Sequence, residues 1–344
     1  MGKIYVFSIR ANNSGGSETL HQLVDTINNK GGNAFIVYPD SNETQPIPKF
    51  EKYNVKITSN VEDSPNNTII VPETETQYLY KYCNMKKIIW WLSRDFYSGN
   101  CSYIGLLRSA ERHGVNKIFY PIYIPLVWIK KKLRRYYFKF GKDKNEIFHF
   151  YNCKYVYDYL IKNGVKSENT MYLCGPIRID FLNNNIKTKK ENIIVYNPKK
   201  GISFTKKVIE ELNKEKWIKQ IIPLENMTPK EVANTLSRAK VYIDFGSFPG
   251  PERIPRESVL LGCNIITSNN GSAANDIDVP IPRNVKYDTK IKNIPEIVKK
   301  IYKLMEHYDQ HICEYDIYRE KIKAQSDIFR MNILSFFIKS DNEI

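Results

Sequence analysis

The sequence predicts an α/β protein of two Rossmann-like, doubly wound domains facing each other across a cleft. Three observations carry this expectation. Short apolar runs alternate with helix-patterned segments along most of the 344 residues, as in parallel sheets joined by crossover helices. An Asn- and Lys-rich run at 183–191 interrupts the alternation with the composition of a linker. On either side of it, the first strand is followed by a polar loop and then a helix, the arrangement that places loops at the ligand-binding edge of an open sheet.

In the first half, residues 4–9 are strand-like and lead through Arg10–Gly16 into a helix over 18–30. Leu20, Leu23, Val24 and Ile27 give that helix one apolar face, and Gly31-Gly32 ends it. Strands are expected at 34–38, 68–71, 88–92, 117–120 and 170–173, with a helix at 152–163. Beyond the linker the expected order is strand 193–196, helix 203–213, strand 219–223 and a Thr-capped helix 228–238. Strands 241–244 and 264–267 follow, then a long helical stretch over 293–337 broken near Tyr315. The domains are therefore drawn at 1–182 on the acceptor side and 183–325 on the donor side. A final helix at 326–344 is expected to pack back on the first domain.

Composition narrows the function classes. Hydrophobic residues make up 42% and mean hydropathy is −0.46, values of a globular chain. No apolar run approaches the roughly 20 residues that span a bilayer. The N-terminus reads directly as a first strand, so a cytoplasmic protein is expected, peripheral to the inner face of a membrane at most. Six cysteines without a CxxC pair argue for reduced thiols rather than a metal site or disulfide framework. A net charge of +15 favours polyanionic partners without choosing among them.

The most informative segment is Asp244-Phe-Gly-Ser-Phe-Pro-Gly-Pro-Glu-Arg-Ile-Pro-Arg-Glu257. It follows an apolar strand and opens a helix, placing Arg253, Arg256 and Glu257 at a sheet edge. Guanidinium forks suit phosphate oxygens, and a carboxylate accepts from sugar hydroxyls, so a nucleotide-sugar is the ligand these residues suit. Asn197-Pro-Lys-Lys-Gly201 lies between the first strand and first helix of the second half, where Lys199 or Lys200 can reach a diphosphate. Gly15 and Gly16 lie at the matching place in the first half, where backbone N–H groups at a helix start meet anions. Gly271 and Ser272, in the small-residue loop after strand 264–267, let backbone close on a sugar or phosphate.

Taken in order, these blocks resemble a GT-B glycosyltransferase, nearest to bacterial and viral polysaccharide enzymes with a PGxxRxPRE donor-site block. The likeness is strong over about 190–285 and weak over 1–175. It implies that Gly15 and Gly16, with Lys199 or Lys200, contact the donor diphosphate and that Glu257 contacts donor sugar or ribose; Asn197, Arg253, Arg256, Gly271 and Ser272 are assigned to the donor from their own chemistry and place. The chain departs from the group's pair of glutamates seven residues apart. Pro249 stands eight positions before Glu257, and Glu252 is nearby but out of register.

Asp95, at the end of Trp90-Trp-Leu-Ser-Arg-Asp, is the first candidate for a base that deprotonates an acceptor hydroxyl, with His21 the alternative. The basic segment 129–144, with Ile129, Leu133, Tyr136 or Tyr137, and Phe140 at helical spacing, is read as an amphipathic helix facing anionic lipid. Asp276-Ile-Asp278 is nominally a metal motif but reads as a turn or cap, so no cofactor and no metal are expected. The leading reading is a transferase moving a sugar from a nucleotide-sugar to a glycan or lipid-linked acceptor in surface polysaccharide or glycoconjugate synthesis, with no nucleic-acid partner. The alternatives are a nucleotide-sugar epimerase of the same architecture and a basic nucleic-acid-binding protein.

Overall fold

The computed structural model describes residues 2–11, 14–97, 103, 106–107, 110, 114–133, 137–182 and 188–338. Arg134, Arg135 and Tyr136 of the expected basic helix, linker residues 183–187 and the tail 339–344 lie outside them. The chain divides into two compact units. One comprises Met1–Asn152, Val156–Gly175 and Arg330–Ile344, the other Cys153–Tyr155 and Pro176–Phe329.

The first unit holds a seven-stranded parallel sheet of β1 (Ile4–Phe7), β2 (Ala34–Val37), β3 (Lys56–Ile57), β4 (Thr68–Pro72), β5 (Lys86–Trp91), β6 (Phe148–Tyr151) and β7 (Thr170–Tyr172), in the order β3-β2-β1-β4-β5-β6-β7. All four residues of β1 are buried, as a strand covered on both faces requires. The helix Gly15–Asn28 buries Leu20, Leu23, Val24 and Ile27. Gly31, at φ +80, lets the chain turn so that the Gly32 N–H returns to Ile27 O at 2.9 Å.

The second unit holds a five-stranded parallel sheet of β8 (Glu191–Tyr196), β9 (Gln220–Pro223), β10 (Ala239–Asp244), β11 (Asn264–Ser268) and β12 (Lys286–Tyr287), in the order β12-β11-β10-β8-β9. Helices Ile202–Leu212, Pro229–Arg238, Arg253–Leu260 and Ile294–Glu306 complete it. Thr228 opens the second of these with a capping box, its hydroxyl accepting from Glu231 N and its N–H donating to Glu231 Oε2.

Two expectations are corrected. Residues 117–120 are not a strand: Lys117–Phe119 is a single 3-10 turn leading into the helix Tyr120–Leu133. Ile118 and Phe119 are exposed, so the apolar run there is not paid into any sheet. The strand in that part of the chain is β6, whose His149 interrupts the apolar pattern yet is buried. Its ring accepts from Trp91 Nε1 (3.0 Å) and donates to Lys144 O (2.8 Å). The second correction concerns 129–144. The helix is described as far as Leu133, and the next described residues, from Tyr137, are not helical. Phe138 is fully buried and donates its N–H to Thr76 Oγ1, and Phe140 stacks on Trp91 with ring centroids 5.5 Å apart. The aromatic residues after 136 serve the core rather than a continued amphipathic face.

Candidate functional site

In an open parallel sheet, ligands bind beyond the carboxyl ends of the strands where the strand order reverses. In the second sheet the reversal lies between β8 and β10. The loop after β8 is Asn197–Gly201 and the loop after β10 is Phe245–Glu252. Backbone contact joins them: a Cβ on Gly201, which sits at φ +60, would lie 2.4 Å from Phe245 C, and one on Gly246 would lie 2.6 Å from Lys200 Cβ. A third loop meets them. Gly271, at φ +61, would push a Cβ to 2.0 Å from Phe248 O, while Ser272 donates its N–H to Phe248 O and its hydroxyl to Gly250 O, both at 2.8 Å. Segments scattered over some 75 residues of sequence thus converge on one sheet edge.

The side chains there divide into outward and inward groups. Lys199 is exposed, and its backbone N–H is held by Asn197 Oδ1 at 3.0 Å. Lys200 is ion-paired with Glu252. Arg253 is part-exposed and lies 3.7 Å from the Glu257 carboxylate, which is itself buried. Arg256 turns into the protein. Its guanidinium donates to Glu252 O (3.2 Å), Pro251 O (3.1 Å) and Gln325 Oε1 (2.7 Å), tying the loop to the helix Asp316–Phe337. Ser272, buried and bonded to the loop, likewise acts as a clamp. Of the cations in this block, Lys199, Lys200 and Arg253 keep part of their surface open, and Arg256 is buried against the loop.

Asp244 was not singled out by the sequence for a role, although an acid closing the apolar run Val241-Tyr-Ile is a visible signal. It is buried, accepting from Gly246 N at 2.9 Å and Tyr242 Oη at 3.0 Å. Burial pushes its carboxyl up to about 6, with the Glu252 charge adding to the shift and the Gly246 N–H and Lys200 opposing it.

In the first sheet the reversal lies between β1 and β4; Ser8–Ala11 follow β1, and Glu73–Glu75 lead from β4 into the 3-10 turn Thr76–Tyr80. The helix Gly15–Asn28 starts at Gly15-Gly16, its N-cap Ser14 accepting from Ser17 N. A Cβ on Gly16 would meet only ordinary contacts, the nearest Leu92 Cδ1 at 3.5 Å. Glu73, just beyond β4, is buried and accepts from Leu92 N at 2.9 Å; burial pushes its carboxyl up to about 8, against the pull of backbone N–H donors. Ser8 Oγ after β1, Gln77 Oε1 after β4, Ser93 Oγ after β5 and Asn152 Oδ1 after β6 are buried without a hydrogen-bond partner among the described residues. Such atoms are costly, about 1–3 kcal/mol each; Ser8, Ser93 and Asn152 follow the ends of β1, β5 and β6, and Gln77 stands in the 3-10 turn Thr76–Tyr80. Neither Glu73 nor these atoms was found from the sequence. The available signal was an acid directly after the strand Thr-Ile-Ile-Val-Pro.

Asp95 lies in the turn Arg94–Phe96 after β5, part-exposed, with Arg94 stacked over the Tyr159 ring at 4.7 Å. His21 is no surface base. It is fully buried between Ser17 O (2.7 Å) and Tyr38 Oη (2.8 Å), and burial lowers its imidazole to about 4. Asp276 is paired with Arg283 and Lys286, and Asp278 accepts from the N–H groups of Lys154 and Tyr155 and from Asn275 Nδ2, all within the second unit. Asp276 is thus held by two cations, and Asp278 by backbone N–H groups.

No protein-family model matches the chain, and no curated protein matches it in sequence. Solved structures do match in fold. The sucrose-phosphate synthase of Thermosynechococcus elongatus superposes with a TM-score of 0.60 at 11% identity, covering 98% of both chains. Anabaena HepE, in complex with UDP and glucose, gives 0.57 at 11% identity over 97% of both. WaaG, a glycosyltransferase of lipopolysaccharide biosynthesis, gives 0.55 at 10% identity over 98% of this chain and all of its own. This chain spans only 54% of the longer Staphylococcus aureus TarM, at a TM-score of 0.47. With two parallel α/β sheets in two units, and with the near full-length matches to sucrose-phosphate synthase, HepE and WaaG, the chain has the GT-B fold.

Proposed function

We propose that the protein is a glycosyltransferase that takes a nucleotide-sugar donor at the carboxyl edge of the second sheet and passes the sugar to a glycan or lipid-linked acceptor. The observation that carries this reading is the convergence of the loops 197–201, 245–252 and 271–272 at the β8/β10 reversal, with Lys199, Lys200 and Arg253 around them. In this reading the three cations and the start of the helix Arg253–Leu260 take the diphosphate. They stabilise the charge that develops on the leaving nucleotide. Lys200 exchanges Glu252 for phosphate as the donor enters. Arg256 fixes the loop, Glu257 accepts from donor sugar or ribose hydroxyls, and Asn197, Gly271 and Ser272 hold the backbone in shape. Gly15 and Gly16, within the first unit, offer an anion the N–H groups of a helix start.

On the acceptor side the reading assigns the polar edge of the first sheet to sugar hydroxyls, with Asp95 as the base that removes the acceptor proton. It gives no step to a divalent ion, the positive charge being supplied by side chains. Nucleotide binding and transfer are then expected to survive EDTA treatment.

The test is a thermal-shift panel of nucleoside diphosphates and nucleotide-sugars. One base series is expected to raise the melting temperature in proportion to ligand concentration. Lys199→Ala and Arg253→Ala should each weaken that binding about tenfold or more, since a charge-assisted hydrogen bond contributes about 1.5–3 kcal/mol. A wild-type protein indifferent to every nucleotide in the panel overturns the reading.

A further inference from the structure

The helix Tyr120–Leu133 presents its apolar side chains to solvent. Ile122, Leu126 and Leu133 are 66%, 60% and 74% exposed, and Ile129 is also exposed, whereas Ile124 is buried. At 100° per residue these four lie within an arc of about 60°, with Ile124 on the opposite side. The helix is therefore anchored by one face and carries its apolar stripe on the other, the inverse of a helix packed on its own core. Lys130 and Lys132, both exposed, flank the stripe at about 80° to either side. Trp128 is exposed with Lys132 Nζ 5.4 Å from its ring. From Gly114 to Lys142 the sequence contains eight Lys and Arg residues and no acid.

An apolar stripe with lysines on both flanks fits one kind of surface. The aliphatic side chains enter the acyl boundary while the lysine stems run alongside them and their ammonium groups reach lipid phosphates. Trp128 falls about 100° from the nearest edge of the stripe, toward the side of Ile124, and takes no part in it. An anionic bilayer matches the apolar stripe and the lysines that flank it at once, the aliphatic side chains meeting acyl chains and the ammonium groups the lipid phosphates. We infer that Tyr120–Leu133 is an interfacial helix that seats the protein on an anionic lipid surface, with Ile122, Leu126, Ile129 and Leu133 inserted and Lys130 and Lys132 at the headgroups. The inference goes beyond the transferase reading and is tested without any sugar donor, so each can fail alone.

The experiment is co-sedimentation of the full-length protein with phosphatidylcholine vesicles, with and without phosphatidylglycerol, alongside quenching of tryptophan fluorescence by brominated lipid. Binding is expected only to the anionic vesicles, falling as salt rises. Leu126→Glu combined with Ile129→Glu should weaken it about tenfold or more with an unchanged melting temperature, the substituted side chains being exposed. Ile129→Trp in a Trp128→Phe background should bind as the wild type does and be quenched, whereas Trp128→Phe alone should bind without quenching, because Trp90 and Trp91 are fully buried and Trp217 is half-buried in the second unit. Equal binding by the glutamate variant, no quenching of a tryptophan at 129, or a wild-type protein that ignores the vesicles and dimerises through this face would each overturn the inference. If the glutamate variant misfolds, the Trp128→Phe pair with and without Ile129→Trp still decides it.

Discussion

Glu73 shows what a single buried acid does to the energetics of this fold. Its folded carboxyl titrates at about 8 against an ordinary 4.5. Between those values the folded state keeps a proton that the unfolded chain has released, so its contribution to stability falls as pH rises through that window. His21 and His149 act in the opposite direction. Burial lowers both from 6.5 to about 4, so the stability they contribute is present above 6.5 and is lost as pH falls toward 4. The pH profile of the wild type mixes these effects, and a difference between two proteins separates them. Glu73→Gln keeps an oxygen for the Leu92 N–H and cannot ionise. Relative to wild type it should be near neutral at pH 4.5 and stabilising at pH 9, gaining about 1.4 kcal/mol for each pKa unit the carboxyl is displaced. Urea midpoints at the two pH values measure this, and a difference that does not change with pH removes Glu73 from the titrating groups.

Loops rather than strands decide whether the second sheet has a site, and two glycines separate conformational strain from close approach. Gly31 and Gly271 both have positive φ, but a Cβ on Gly31 would meet nothing within 4 Å, whereas one on Gly271 would strike Phe248 O. Gly31→Ala should therefore cost about 1–2 kcal/mol from left-handed strain alone. Gly271→Ala should add about 1–3 kcal/mol from the displaced loop and also lose the nucleotide-induced thermal shift that Gly31→Ala retains. Equal stability loss in the two, with nucleotide response intact in both, would count against the loop contact as a determinant of the site. The same elements show what can be read from a single chain. β8, β10 and β11 were legible because each is an apolar run closed by polar residues, and the loops because glycine, proline and arginine stand out there. The direction of Arg256 was not legible, since it depends on Gln325, 69 residues away. Nor was the pairing of Lys200 with Glu252, 52 residues apart. Residues 117–120 have a strand's composition yet no sheet beside them, and β6 has a sheet but carries a histidine whose two partners lie outside its own pattern.

At the scale of the whole molecule, the two units share one helix. Asp316–Phe337 begins in the second unit, which ends at Phe329, and finishes in the first, which resumes at Arg330. The sequence reading places the return at 326, and tertiary contact defines it. Asn332 Nδ2 donates to Tyr172 O at 2.7 Å, Phe336 packs against Phe148 and Phe150 at 4.9 and 5.0 Å, and Ile333 is fully buried. The far end of the chain therefore covers β6 and β7, strands with otherwise short registers of four and three pairs. Ile333→Ala removes buried methylenes and should cost about 2–5 kcal/mol. If the units open separately, that loss falls on the first unit, as expected of cooperative substructures within one chain. Hydrogen exchange should then show faster amide exchange in β6 and β7, with β8, β10 and β11 unchanged. Equal loss of protection in both sheets would mean instead that the shared helix makes the two units one cooperative block, and that a substitution near the carboxyl end weakens the β8/β10 loops as much as the sheet it touches.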